Sequence, residues 1–404
     1  MNCIIAQSGG PTSVINSSVY GVVKENFDIK IYDNVYGGLN GIEGILEKRI
    51  INLSSMDTER LETFKNSPSS GLGSCRYKLK DFNNTEAEYI KLIEILKELR
   101  ITTFFYVGGN DSMDTTAKLS EYAKLKNIDI KFIGIPKTID NDLKYTDHTP
   151  GFGSAGRFIS TSVLESYLDS KVYSNNGIFI LEAMGRDTGW LAATSALATL
   201  NGKKCADLIY LPEIAFSKEN FLKDVSRLFK ENNHVYIVAS EGIRDKDGIF
   251  VAEADSTGHD NFGHAQLGGV GTTLKNLIIN AGITERVKSL ELGVLQRCAM
   301  HCSSKVDLAE AEMVGRDALK YSKNCLSGLM VGIKRNNTTQ YTSESFLIEA
   351  NKVANDVKYF PASWINVDGN GITKDAISYL SPLINDFSMN DIETHLPNYD
   401  SFAI

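Results

Sequence analysis

An α/β fold with mostly parallel sheets is predicted by three features of this sequence. Short apolar runs of strand length recur along it, amphipathic stretches of helical period separate most of them, and three end in glycines that lead into a helix-like segment. At 404 residues the chain is long enough for two domains that each bury a core.

The strand-like runs are Cys3 to Ala6, Thr103 to Val107, Phe132 to Ile135, Ile178 to Leu181, Asp207 to Leu211, Val235 to Ala239 and Leu329 to Ile333. After the first, the spacing of Val14, Ile15, Ser18, Val19, Val22 and Val23 marks one buried helix face, with Thr12 or Ser13 as the expected N-cap. The segment 84–100, containing TEAEYIKLIEILKELR, is another such helix. No internal repeat or low-complexity linker appears, so a domain division must arise from the chain crossing between two sheets. The first change of character comes near Thr149-Pro150-Gly151. Beyond about residue 340 the sequence turns polar and irregular before a short final helix-like stretch.

Composition narrows the function classes. With 42% apolar and 23% charged residues the chain is an ordinary globular one, and its formal charge of −8 without a basic stripe argues against nucleic acid as a partner. An anionic small substrate would have to be held by a few placed cations. The N-terminus MNCIIAQSGG has no targeting pattern and no window has the length of a membrane span, so a cytoplasmic location is expected. Six scattered cysteines read as reduced thiols; Cys298 and Cys302 lack the second pair that a structural zinc site needs.

The three strand-to-glycine-to-helix loops are IIAQS-Gly9-Gly10-PTSVIN, VGG-Asn110-Asp111-SMDT and IFILEAM-Gly185-Arg186-DTGW. Ligands of open α/β sheets bind outside the carboxyl ends of strands, and a helix N-terminus with open amides suits an anion. Together the loops point to a phosphorylated ligand. A fourth loop, Pro136-Lys137-Thr138-Ile139-Asp140-Asn141-Asp142, follows the strand KFIGI. If it runs extended, the period of two places Thr138, Asp140 and Asp142 on one side, so that a divalent metal at one carboxylate leaves the other as a base. The alternative is an Asx-rich turn with solvated acids.

At these residues the sequence resembles the phosphofructokinases, with matches in order at SGGP, LGSCR, GGNDS, PKTIDND, MGRDTGW, SEG and LQR. The resemblance implies two Rossmann-like three-layer α/β domains with the active site in the cleft between them. Residues 1–150 with about 295–345 would form the phosphoryl-donor and magnesium domain, and 151–294 with about 346–404 the sugar-phosphate domain. It implies that Asp140 is the base for the 1-hydroxyl of fructose 6-phosphate, that Thr138 donates to the transferring group, and that Asn110 and Asp142 lie on the Mg2+ side. Gly9, Gly10, Gly109, Ser112 and Arg76 would meet the donor. Met184, Gly185, Arg186, Glu241 and Lys288 would meet the sugar, and Arg297 its 6-phosphate, where a guanidinium fork suits phosphate oxygens. Without the resemblance, Arg76 reads as a surface arginine and Glu241 as a helix cap. A homodimer or homotetramer, sharing part of the sugar site, is also implied.

Departures from the family pattern fall at Asn110, where an aspartate is usual, and at Gly177, Lys288 and Val294 around the sugar. The donor is read from Asp111 and Lys137, because pyrophosphate-dependent members carry aspartate and lysine at positions where ATP-dependent bacterial members usually carry glycine. An aspartate about 4 Å from a nucleotide's α-phosphate costs up to about 4 kcal/mol at an effective dielectric near 20, whereas pyrophosphate ends short of it. Lys137 would stand beside pyrophosphate and its phosphate leaving group, and Asp111 has the alternative reading of an N-cap. The expected function is reversible phosphoryl transfer from pyrophosphate to fructose 6-phosphate. The alternatives are an ATP-dependent phosphofructokinase, a sedoheptulose 7-phosphate kinase and a non-catalytic sensing subunit.

Overall fold

The computed structural model describes residues 1–172, 177–252, 269–336 and 341–384. In chain order the strands are β1 (Asn2–Gln7), β2 (Asn34–Gly38), β3 (Ile50–Asn52), β4 (Ile101–Gly108), β5 (Lys131–Pro136), β6 (Ile178–Ala183), β7 (Thr199–Leu200), β8 (Lys203–Lys204), β9 (Leu208–Tyr210), β10 (Val235–Ser240), β11 (Val287–Glu291), β12 (Leu329–Arg335) and β13 (Ser343–Glu349). They divide between two compact units. Among the described residues the first holds 1–154 and 297–357, the second 155–296 and 358–384.

The first unit is built on a seven-stranded sheet ordered β13-β12-β5-β4-β1-β2-β3. Its five inner strands are parallel and only the edge pairs β12/β13 and β2/β3 are antiparallel. Alternation along the strands sorts the core into two layers. Cys3, Ile5, Phe105, Val107, Ile133 and Ile135 pack with Ile15, Val19 and Val22 of helix Ile15–Ile29 and Val314 and Ala318 of helix Lys305–Ser322. The intervening Ile4, Ala6, Phe104, Tyr106 and Phe132 face Tyr89, Leu92 and Leu96 of helix Ala87–Glu98 and Leu119 and Tyr122 of helix Asn110–Leu125. Helices thus cover both faces. On the first face two helix backbones touch at glycines: a Cβ on Gly21 would stand 2.3 Å from the Glu312 carbonyl, and one on Gly315 2.1 Å from that of Ser18.

The second unit has a four-stranded, all-parallel sheet ordered β11-β6-β10-β9. Ile178, Ile180, Val235 and Ile237 pack with Phe221 and Val225 of helix Lys218–Asn232 and with Val270 and Leu274 of helix Val270–Asn280. On the other face Tyr236 stacks on Phe179 and meets Tyr167 of helix Phe152–Ser170.

Each strand-like run of the sequence is a strand, and the helix of segment 84–100 spans Ala87–Glu98. Two expectations change. Val14, with no side-chain cap, precedes helix Ile15–Ile29 instead of Thr12 or Ser13; Thr12 Oγ1 only accepts from Val14 N at 3.3 Å. Residues 346–357, expected in the second unit, belong to the first, because β13 pairs with β12 along its whole length. The expected final helix-like stretch lies at Lys374–Leu380, and the C-terminal residues from 385 on lie outside the described residues.

Candidate functional site

In the first unit the strand order reverses at β1, whose neighbours β2 and β4 follow on opposite sides, and a crevice outside the carboxyl ends is expected at such a point. The glycine loops are found there. Gly9 follows β1 at φ 75°, a left-handed conformation that favours glycine. Its N–H donates to Cys75 O at 3.0 Å, and Ser74 Oγ donates to Gly9 O at 2.6 Å. Gln7 Oε1 and Asn16 Oδ1 accept from Leu72 N and Gly71 N, both at 2.9 Å. The Gly71–Cys75 segment is therefore laced to the end of β1, and the exposed Arg76 follows it directly.

Lys137 leaves β5 and turns inward. It is only 3% exposed, its N–H donates to Gly108 O at 3.0 Å and its Nζ to Gly10 O at 2.6 Å. A Cβ on Gly9 would lie 3.4 Å from that Nζ, and one on Gly10 3.6 Å from Arg297 Cζ. Burial first, and then the charge of Arg297, push the ammonium down to about 7, with Arg76 adding to the effect and Asp140 and Asp142 opposing it. Lys137 and Arg297 thus stand against one glycine pair, with Arg76 close enough to act on Lys137. Such a cluster calls for an anion.

Gly109 caps helix Asn110–Leu125 without a side-chain bond, so Asn110 and Asp111 open the first turn and Ser112 is buried behind them. The N-cap reading of Asp111 is corrected accordingly: the acid sits inside the helix, at its positive end. The Lys137–Asp142 segment is not the extended strand that alternation suggested, because Asn141 turns at φ 53°. Burial nevertheless alternates, with Ile139 and Asn141 buried and Thr138, Asp140 and Asp142 half-buried. Thr138 Oγ1 accepts from Asp140 N at 3.1 Å and lies 3.5 Å from Asp140 Oδ2. A hydroxyl and a carboxylate are therefore brought together by a turn rather than by strand pleat.

For a metal, the fit rests on oxygen donors. Asn110 Nδ2 donates to Asp356 O at 2.6 Å, which leaves its Oδ1 buried without a hydrogen-bond partner. Among the described residues no three His, Cys, Asp or Glu side chains gather as a cage. Hard amide and carboxylate oxygens in small number suit Mg2+, which takes its remaining ligands from water and phosphates. The six cysteines are free, so Cys298 and Cys302 form no disulfide.

In the second unit the corresponding loops follow β6 and β10. Gly185, at φ 134°, donates to Glu241 Oε1 at 3.2 Å, Ser240 Oγ donates to Gly185 O at 2.5 Å, and Met184 N donates to Gln296 Oε1 at 3.0 Å. A Cβ on Gly242 would come within 1.9 Å of Arg186 O, so the Met184–Arg186 backbone lies directly on the turn after Glu241. Glu241 caps this loop rather than a helix. Lys288 lies apart from this group: it pairs with Phe179 near the start of β11, is exposed, and stands 3.9 Å from Asp169. Gly177 has a backbone reason, since a Cβ there would meet Arg286 O at 2.3 Å. Val294 is exposed.

Two supports escaped the sequence. Glu213 accepts from Gly189 N at 2.9 Å and Phe360 N at 2.9 Å, fixing the end of the Met184–Trp190 loop. Behind the Asp140 turn, His148 lies between Asp147 at 2.8 Å and Glu310 at 2.5 Å, and Asp307 accepts from Gly151 N and Ser154 N, both at 2.8 Å. The signals were Pro212-Glu213 after a strand run, and the histidine of TDHTPG.

Parallel sheets whose strand ends gather glycines, cations and carboxylates place the chain among phosphate-handling α/β proteins. Residues 2–321 match the phosphofructokinase family, to which the chain belongs. A curated relative from Halomonas elongata, named pyrophosphate–fructose 6-phosphate 1-phosphotransferase, is 38% identical over 406 residues, covering 100% of this chain and 96% of its own. Another, from Alkalicoccus urumqiensis and named sulfofructose kinase, is 36% identical over 349 residues, covering 85% and 86%. The crystal structure of a pyrophosphate-dependent phosphofructokinase from Marinobacter aquaeolei superposes with a TM-score of 0.88 at 35% identity, covering 98% of this chain and 95% of that one.

Proposed function

We propose that the chain is a magnesium-dependent pyrophosphate:fructose 6-phosphate 1-phosphotransferase acting reversibly in the cytoplasm as a homo-oligomer. The observation that carries the choice of donor is the presence together of Lys137, buried against the Gly10 carbonyl, and of Asp111 in the first turn after Gly109. A short, highly charged donor matches the cations around Gly9 and Gly10, while Asp111 repels a nucleotide's further phosphate.

In the reaction Asp140 takes the proton of the sugar 1-hydroxyl as its oxygen bonds to the transferred phosphorus. The bond from that phosphorus to the bridging oxygen breaks, and phosphate leaves with its electron pair. Thr138 steadies the transferring group, Arg76 and Lys137 offset its charge and that of the leaving phosphate, and the Gly9–Gly10 backbone lets the donor approach. Mg2+, held on the Asn110 and Asp142 side, neutralises phosphate oxygens when bound. Met184, Gly185, Arg186 and Glu241 of the second unit hold the sugar, and Arg297 of the first unit takes the 6-phosphate. Lys288 acts there only in an assembly that brings another protomer's site to it. Initial rates with fructose 6-phosphate and either pyrophosphate or ATP test the proposal: turnover with pyrophosphate and little with ATP is expected, and turnover with ATP alone would refute it.

A further inference from the structure

Asn110 departs from an acid at a metal-side position, and its amide is engaged in a definite way. Its Nδ2 donates to the Asp356 carbonyl at 2.6 Å, and the Oδ1 is buried without a partner. One turn along the same helix face, Asp114 Oδ1 accepts from Asn355 Nδ2 at 3.1 Å and Asp114 Oδ2 from Lys118 Nζ at 2.6 Å. Two consecutive residues, Asn355 and Asp356, thus grip positions i and i+4 of helix Asn110–Leu125. The same short segment is tied to the chain beyond the Asp140 turn by an ion pair of 2.7 Å between Asp356 and Lys144. Asn355 sits at φ 60°, so a sharp left-handed turn presents the Asp356 carbonyl to Asn110.

Only an amide can make this contact while keeping an oxygen to offer. An aspartate at 110 has no N–H to donate, and would set a carboxylate oxygen against the Asp356 carbonyl oxygen. Resting on the magnesium and pyrophosphate reading above, we propose that the Asn355–Asp356 turn is a positioning element that locks the Asn110 amide and so presents Oδ1 as a neutral metal-side ligand. The consequence is a division of labour: the chain contributes orientation rather than charge at this ligand, and the metal binds strongly only with the phosphate donor that neutralises it.

Manganese supplies a readout that needs no turnover. Free Mn2+ is followed by electron paramagnetic resonance as it is titrated into the protein with and without methylenediphosphonate, a pyrophosphate analogue whose bridge cannot be cleaved. Wild type is expected to bind Mn2+ tightly with the analogue and weakly alone. Asn110→Asp should weaken binding by about tenfold or more despite its added charge, as loss of an orienting contact does elsewhere. Asn355→Gly, which tolerates the left-handed turn, should weaken it less, and the double variant should bind no worse than Asn110→Asp alone because both act through one contact. An Asn110→Asp protein that binds Mn2+ as tightly as wild type, or tighter, overturns the inference while leaving the donor reading intact. Wild type that binds no Mn2+ with the analogue overturns both.

Discussion

The two units hold their glycine loops in opposite ways. In the first, a cation grips a carbonyl: Lys137 Nζ donates to Gly10 O, with Arg297 beside it. In the second, carboxylates grip amides: Glu241 takes Gly185 N, Glu213 takes Gly189 N, and Glu182 takes Gly269 N at 3.0 Å and Gly271 N at 2.8 Å. Glutamates that accept N–H groups leave a loop satisfied and rigid without any ligand. A buried ammonium beside arginines, hydrogen-bonded to the Gly10 carbonyl, keeps its charge at a cost that an anion would relieve. The first unit therefore holds a cation that an anion would stabilise, and the second holds loop amides that are already bonded.

The largest effect that separates the two modes is expected at Lys137. Lys137→Met should lower kcat/KM for pyrophosphate by about a hundredfold or more, in the range seen when a charge-stabilising donor is removed, while KM for the sugar moves little. Steady-state rates with each substrate varied in turn check this.

Next comes the stability of the first unit. Burial pulls the His148 ring down, but Glu310 and Asp147 more than offset it and hold the imidazolium up at about 9. Arg335 pairs with Asp147 at 3.3 Å, and Ser343 donates to Glu310 at 2.6 Å, completing the surroundings. A raised histidine contributes stability that is fully present below its unfolded value of 6.5 and lost as pH rises through 9. At 1.36 kcal/mol per unit this amounts to about 3 kcal/mol. Thermal unfolding between pH 6 and 10 should show that loss in wild type and a flatter profile in His148→Gln; parallel profiles would contradict it.

A smaller effect is expected in the second unit. Glu213→Ala leaves two buried N–H groups without their acceptor, at a cost of about 1–3 kcal/mol, and should raise KM for the sugar through the Met184–Trp190 loop. Glu213→Gln keeps an acceptor oxygen and should recover most of both. Equal effects of the two substitutions would show that the side chain merely fills space.

The inner strands β1, β4, β5, β6, β10 and β12 were legible because parallel strands covered on both faces are continuously apolar, whereas β2, with two glycines in five residues, was not. Of the edges β9 was legible and the others were not: β3 has three residues, β11 is exposed beyond Val287, and β13 is half-buried. Glycine loops announced themselves, since a glycine after an apolar run marks a tight strand-to-helix turn. The left-handed turn at Asn141, the burial of Lys137 and the Asn110–Asp356 contact depend on partners far away in sequence, and no local pattern encodes them. Glu213 and His148 were hidden for the same reason.

The central claim is that Lys137 meets pyrophosphate as a cation. Burial and Arg297 hold the Lys137 ammonium down at about 7, and an anion placed beside it favours the protonated form. Calorimetric titration of pyrophosphate with Mg2+ at pH 8, in buffers of different ionisation enthalpy, measures that proton directly. Net proton uptake in wild type beyond that of Lys137→Met is the predicted result; uptake that is the same in both proteins, or absent from wild type, would contradict the account.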